Sequence, residues 1–127
     1  MQAYALFFLL GALNGAAATV LGAFGAHALR TRLSAGELEI WNTAVQYHYF
    51  HTLAVLAIGL ACLQLDQPAL RWAGGLMLAG ILLFSGSLYL LSLTDWRWPG
   101  PVTPVGGALL IAGWLALAWA GFRLLTG

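Results

Sequence analysis

The chain has 127 residues, of which 61% are hydrophobic and 7% are charged. Soluble domains carry roughly 25% charged residues, and a small soluble domain buries too little of its surface to hide so many apolar side chains. The composition therefore excludes an ordinary water-soluble domain and indicates a protein whose surface faces lipid. The net charge is +1, with five basic residues and no basic cluster, so nucleic acid is not an expected partner.

Charged residues divide the sequence into four long uncharged stretches, at residues 4–29, 40–65, 72–94 and 98–122. Each stretch exceeds the roughly 20 apolar residues that cross a ~30 Å hydrocarbon core, and none alternates as transmembrane β-strands do. We therefore expect an all-α membrane protein, a four-transmembrane-helix bundle in which residues 1–127 form a single domain. The expected spans are approximately 4–29, 43–64, 71–93 and 102–124.

The first apolar run is expected to be a retained span and not a cleaved signal. It is much longer than the ~7–15 residues of a signal core. No Lys or Arg precedes it, although Ala26-His27-Ala28 resembles a cleavage site.

A short interfacial helical segment is expected before the second span. Ser34 and Glu37 have the spacing of a capping box, in which each side chain bonds the other residue's backbone N–H. A helix running from there to Leu65 would be about 45 Å long at 1.5 Å per residue, so its first turns are expected at the membrane interface. Three Arg in the first and third loops against two on the other side do not determine the orientation.

Small residues recur at helical spacing in the first and fourth spans, which favours close helix packing in lipid. The residues are Gly11, Gly15, Ala18, Gly22, Gly25, Gly106, Gly113 and Ala120. The pattern leaves open whether the contacts lie within one chain or in a homo-oligomer. Asn14 lies near the middle of the first span, where we expect it to form an interhelical hydrogen bond.

Most of the intramembrane polar residues fall toward the face of the first and third loops. Polar groups at membrane depth are costly and therefore suggest a function. We expect a one-sided polar pocket that contacts a lipid headgroup, a small solute or a protein partner. Its candidate residues are His27, Gln46, His51, Thr52, Ser85, Ser87, Tyr89 and Thr103.

Histidine spacing also raises a metal or haem hypothesis. His48 and His51 share a helix face and could combine with His27 as metal ligands. The spacing is unspecific and no ligating carboxylate is close in sequence, so structural histidines are favoured and no cofactor is predicted. Cys62 is the single cysteine, and we expect it to pack as a small hydrophobe.

No catalytic residue is predicted. The four acidic residues lie at span ends or in loops, so no pair of carboxylates is placed to act as general acid and base. A non-enzymatic protein is therefore the preferred hypothesis.

Several short segments together resemble the YgdD/YwdK-like family of small bacterial inner-membrane proteins of uncharacterised function. The segments are residues 22–27, 45–47, 51–54, 83–89, 103–107 and 113–114. The resemblance covers nearly the whole chain and implies a four-span plasma-membrane protein, but it implies no activity. His27 and His51 match motif positions, whereas the position of His48 varies in the family, which disfavours a paired-histidine metal site.

Three functional hypotheses follow from the sequence. The first is a non-enzymatic membrane protein that is embedded in membrane lipid and has a one-sided polar pocket. The second is a small transporter or channel component that acts as an oligomer. The third is a metal- or haem-binding protein that uses His27 and His51.

Overall fold

The computed structural model describes residues 2–127, which form four α-helices joined by short connections. They are α1 (Ala3–His27), α2 (Ala35–Ala61), α3 (Pro68–Leu93) and α4 (Val102–Thr126). Residues 2–127 contain no β-strand. The predicted all-α class is thus confirmed, and α1, α3 and α4 are each long and apolar enough to cross a membrane.

The start of α2 is fixed by the capping box that its sequence predicts. The Glu37 backbone N–H donates to Ser34 Oγ over 3.2 Å, and the Ser34 N–H donates to the Glu37 carboxylate over 2.9 Å. These two bonds satisfy backbone groups that the first turn of a helix leaves without partners. From this cap α2 continues without a break for 27 residues, about 40 Å at 1.5 Å per residue.

The end of α2 differs from the expectation that the helix reaches Leu65. The helix ends at Ala61 and a turn follows. The chain must then become extended at Gln67, whose φ is −121° and ψ is 128°, because a residue before proline disfavours helical geometry. Pro68 occupies the first turn of α3, where the missing N–H costs nothing.

Each helix packs against the next one in the chain. The close pairs are α1 with α2, α2 with α3, and α3 with α4, whereas the other pairs make few or no close backbone contacts. The centre of the molecule is therefore the α2–α3 pair. Its most deeply buried apolar side chains include Val55, Ile58 and Met77, each at most 1% exposed.

Two glycines allow approaches that no other residue would permit. Gly25 in α1 lies against the indole ring of Trp41, and a Cβ there would overlap that ring. Trp41 is 1% exposed, and its Nε1–H donates to the Leu21 carbonyl over 3.0 Å. Gly106 in α4 lies directly against the backbone of Phe84 in α3. Both contacts bring helices closer than a side chain would allow.

The other small residues of the two predicted stripes also lie where helices of the same chain meet. Gly15 and Gly22 face Thr52 and Val45 of α2. The buried members of the two stripes are Gly11, Ala18, Gly25, Gly106, Gly113 and Ala120. The glycine contacts given for the two stripes lie between helices of one chain.

Candidate functional site

A half-open groove of about 610 Å³ lies between α2 and α4, with one wall from α3. We call it the α2–α4 groove. It is lined by Gln46, Tyr47, Phe50, His51, Phe84, Gly107, Leu110, Ile111 and Trp114. Its volume falls within the ~300–1,000 Å³ of small-molecule sites, and none of the nine lining side chains is acidic or basic apart from the imidazole of His51.

The α2–α4 groove has two levels that differ in polarity. At the first level the rings of Tyr47 and Phe84 lie 4.6 Å apart, beside Gly107 in the second turn of α4. The exposed Gln46 lines this level. At the second level Phe50 approaches Trp114, near the midpoint of α4, with ring centroids 5.8 Å apart. Aromatic rings line both levels, but the Gln46 amide and the Tyr47 hydroxyl at the end near the third loop have no hydrogen-bond partner among residues 2–127, whereas the polar atoms deeper in the groove, on His51 and Trp114, are bonded to each other.

His51 closes the deeper end with a fully bonded imidazole. Its Nδ1 lies 2.8 Å from the Tyr47 carbonyl, which only accepts, so Nδ1 carries the hydrogen. Its Nε2 lies 3.0 Å from the indole nitrogen of Trp114, which only donates, so Nε2 is the acceptor. A neutral imidazole with its hydrogen on Nδ1 satisfies both contacts and ties α2 to α4.

His48 is bonded across the other side of α2 with the opposite tautomer. Asn14 Nδ2 donates to the Leu10 carbonyl over 2.9 Å, which turns Oδ1 toward His48. His48 Nε2 lies 2.9 Å from that oxygen and therefore donates to it. His48 Nδ1 is then the acceptor for the Tyr89 hydroxyl at 3.0 Å. One directed series of hydrogen bonds thus joins α3, α2 and α1.

A second cavity, of about 370 Å³, lies beside this series between α1, α2 and α3. We call it the α1–α3 cavity. It is lined by Asn14, His48, Leu78, Ile81, Leu82, Ser85, Gly86 and Tyr89. Ser85 is 1% exposed, and its hydroxyl donates to the Ala44 carbonyl over 2.8 Å. Four polar side chains therefore meet three aliphatic ones in this cavity.

The eight residues of the predicted polar pocket do not line one common cavity. Gln46 and His51 line the α2–α4 groove, and Ser85 and Tyr89 line the α1–α3 cavity. Ser87 and Thr103 are hydrogen-bonded to each other between α3 and α4.

The remaining two pocket residues lie apart from both cavities. Thr52 is buried, and its hydroxyl has no hydrogen-bond partner among residues 2–127. His27 is exposed at the end of α1. The predicted residues are thus distributed over two cavities and several other interhelical contacts.

The metal hypothesis finds no ligand set in the described part of the chain. Within residues 2–127 no three His, Cys, Asp or Glu side chains come together as metal ligands. Both ring nitrogens of His48 and of His51 are engaged in the hydrogen bonds given above. His27, His48 and His51 therefore do not form the three-nitrogen site that their sequence positions suggested.

Sequence reasoning missed the aromatic walls of the α2–α4 groove. The aromatic wall residues look like ordinary lipid-facing side chains in the sequence, although all but Phe50 lie in the segments that carry the family resemblance. They are Tyr47, Phe50, Phe84 and Trp114. A usable signal was the spacing of Tyr47, Phe50 and His51, which are three and four residues apart and share a helix face. Their partners on α3 and α4 depend on packing that no local pattern displays.

These features define a class of protein: a small multi-pass α-helical membrane protein with polar groups paired between its helices. The chain belongs to the family described as protein of unknown function (DUF423), whose model matches residues 21–107. Helices α1, α3 and α4, which are long and apolar enough to cross a membrane, together with the relatives described next, confirm the membrane location and the family resemblance expected from sequence.

Its bacterial relatives match it over nearly their whole length. A UPF0382 membrane protein of Staphylococcus epidermidis is 47% identical over 118 residues, covering 93% of this chain and 96% of the relative. One of Staphylococcus saprophyticus is 45% identical over 119 residues, covering 94% and 98%. The UPF0382 membrane protein YwdK of Bacillus subtilis is 41% identical over 121 residues, with the same coverage. No solved structure matches.

Proposed function

We propose that this protein is a four-span, non-enzymatic membrane protein that binds one lipid-like amphiphile laterally in the α2–α4 groove. The observation that carries the proposal is the polarity of the groove along the helix axes. Gln46 and Tyr47 lie at the end near the third loop, and Phe50 and Trp114 lie toward the middle of the bundle. A lipid of the same leaflet has this polarity, with its head at the interface and its chains at the centre.

The fourth span in this proposal is α2. It is flanked by α1 and α3, both apolar enough to cross a membrane, and it packs along both of them. Residues 40–61 of α2 contain no Asp, Glu, Lys or Arg, and the imidazoles of His48 and His51 are buried at 6% and 5% exposure. The two imidazoles of α2 are thus turned toward protein, as intramembrane polar groups are, whereas Asn42 and Gln46 are exposed.

The first turns of α2 are proposed to lie in the interfacial region. The helix is about 40 Å long, which exceeds a ~30 Å hydrocarbon core. Its charged residues Glu37 and Glu39 are exposed and lie within the first five residues. The part of α2 that exceeds the thickness of the hydrocarbon core is therefore assigned to the end of the helix that carries Glu37.

The free hydrogen-bonding groups of the groove favour an amphiphile over a purely apolar chain. Neither the Gln46 amide nor the Tyr47 hydroxyl has a hydrogen-bond partner among the side-chain bonds of residues 2–127. Both lie at the end nearest the third loop, where a lipid carries its ester and head groups. Deeper in the groove, Leu110 and Ile111 offer aliphatic contact to a chain.

The test compares two leucine substitutions on α4. A Cβ at Gly107 would make ordinary contact with Phe84 while its side chain enters the groove, and a Cβ at Gly121 would meet nothing within 4 Å. Delipidated protein would be mixed with dioleoyl phosphatidylethanolamine in mild detergent, and bound lipid would be counted by native mass spectrometry.

We expect Gly107→Leu to bind the first lipid about tenfold more weakly, a difference of about 1.4 kcal/mol. Gly121→Leu should behave as the unmodified protein does. Equal lipid occupancy of the two variants, or no discrete first binding event in the unmodified protein, would contradict the proposal.

A further inference from the structure

We infer that the α1–α3 cavity is a second binding site, specific for the hydroxyl group of an uncharged amphiphile. The inference is independent of the α2–α4 groove, because the two cavities share no lining residue. It follows from where the hydrogens of the cavity's polar groups point.

The two hydroxyl groups of the cavity present lone pairs and no hydrogens. The Tyr89 O–H is donated to His48 Nδ1, because the Nε2 hydrogen of that ring is committed to Asn14. The Ser85 O–H is donated to the Ala44 carbonyl. Each oxygen keeps the capacity to accept a further hydrogen bond. A ligand that satisfies these oxygens must therefore supply a hydrogen.

Asn14 adds a donor to the same cavity. Its amide nitrogen carries two hydrogens, of which one is donated to the Leu10 carbonyl. An alcohol both donates and accepts, so one hydroxyl group can accept from Asn14 and donate its single hydrogen to Tyr89 or to Ser85. An ether complements Asn14 alone.

The charge of the cavity excludes a cationic donor. None of its eight lining residues is acidic, and moving an ammonium group away from water without a counter-charge is strongly unfavourable. His48 is neutral in the arrangement described above, so the site offers no compensating charge of either sign. The aliphatic wall formed by Leu78, Ile81 and Leu82 suits the alkyl part of the ligand.

Gly86 leaves the space for such a ligand. It lines the cavity, and a Cβ built on it meets no atom within 4 Å. Gly75 on the same helix is equally open but does not line the cavity. Leucine at position 86 therefore fills the cavity, and leucine at position 75 is a matched control.

The test titrates the protein in lipid nanodiscs with 1-octanol and with its isomer 1-methoxyheptane. The two probes have the same atoms, but the ether has no O–H. The readout is the ¹⁵N chemical shift of His48 Nδ1. This nitrogen accepts a hydrogen bond from the Tyr89 hydroxyl, so its shift changes when a ligand binds to that hydroxyl. We expect octanol to shift this signal saturably, and the ether to bind about tenfold more weakly because it lacks the O–H that donates to Tyr89 or Ser85.

Variants separate the site from general effects of alcohol on the bilayer. Gly86→Leu should abolish the octanol response and Gly75→Leu should keep it, and Ser85→Ala should weaken it severalfold. Equal responses to octanol and the ether in the unmodified protein would overturn the inference, even if a variant failed to fold. So would an octanol response that Gly86→Leu and Gly75→Leu share, or no response to either probe.

Discussion

At the scale of single residues, the notable feature is that both buried histidines act as neutral hydrogen-bonding links between helices. His51 joins α2 to Trp114 of α4, and His48 joins α2 to Asn14 of α1 and Tyr89 of α3. In lipid an unsatisfied polar group costs several kcal/mol, so such complete pairing stabilises the bundle. By contrast with the two imidazoles, the buried Thr52 hydroxyl has no hydrogen-bond partner among residues 2–127.

The two imidazoles are predicted to hold opposite tautomers. The acceptor-only Tyr47 carbonyl requires the hydrogen of His51 on Nδ1, and Asn14 Oδ1 requires that of His48 on Nε2. Long-range ¹H–¹⁵N correlation spectra of ¹⁵N-histidine-labelled protein at neutral pH distinguish the two forms. His27, which is exposed, serves as the reference for a ring in mixed tautomers. Finding the same tautomer in His48 and His51 would refute the assignment.

At the scale of secondary structure, α2 differs from the other three helices. It carries the charged first turn, both buried histidines and the capping box, and it packs against α1 and α3. Its inward-facing polar groups bond to each of its neighbours, so its position determines where both cavities lie. We therefore expect the first turn of α2 to contribute to the stability of the whole bundle.

Removing the N-cap of α2 should measurably destabilise the protein. Ser34→Ala deletes the oxygen that accepts from the Glu37 N–H, and loss of an N-cap side chain costs typically about 1 kcal/mol. The measurement is the midpoint of thermal unfolding in detergent. Ser34→Asp keeps an acceptor at the same position and should retain stability. Equal losses for both variants would show that the cap is not the cause.

How much the sequence could predict also differs by element. The bounds of α1, α3 and α4 lie within three residues of the expected spans, because charged residues and Pro68 interrupt the apolar runs, whereas α2 begins at its capping box, eight residues before the expected span. The candidate site was predictable only in part. Gln46 and His51 stand out as polar residues at membrane depth, whereas Trp114 and Phe84 acquire their role only from the packing of α4 and α3 against α2. A pattern local to one helix contains no information about such partners.

At the scale of the whole molecule, the polar groups lie in separate interhelical contacts on both sides of the α2–α3 pair. The α2–α4 groove and the α1–α3 cavity have no lining residue in common, and Val55 and Met77 are fully buried in the core between helices. This arrangement supports lateral binding from the bilayer over passage of a solute along the bundle axis. The proposed lateral binding requires that α2 crosses the membrane together with its neighbours α1 and α3, which are long and apolar enough to do so.

The most direct test of this account is the topology of the three connections. In a Cys62→Ala background, single cysteines would replace Thr31, Gln64 or Trp96, which are all exposed and lie in successive connections. Intact cells would be treated with a membrane-impermeant maleimide, with and without permeabilisation. The account predicts that Thr31→Cys and Trp96→Cys react alike and that Gln64→Cys shows the opposite accessibility. If Gln64→Cys reacts from the same side as Thr31→Cys, α2 does not cross the bilayer and the four-span account is wrong.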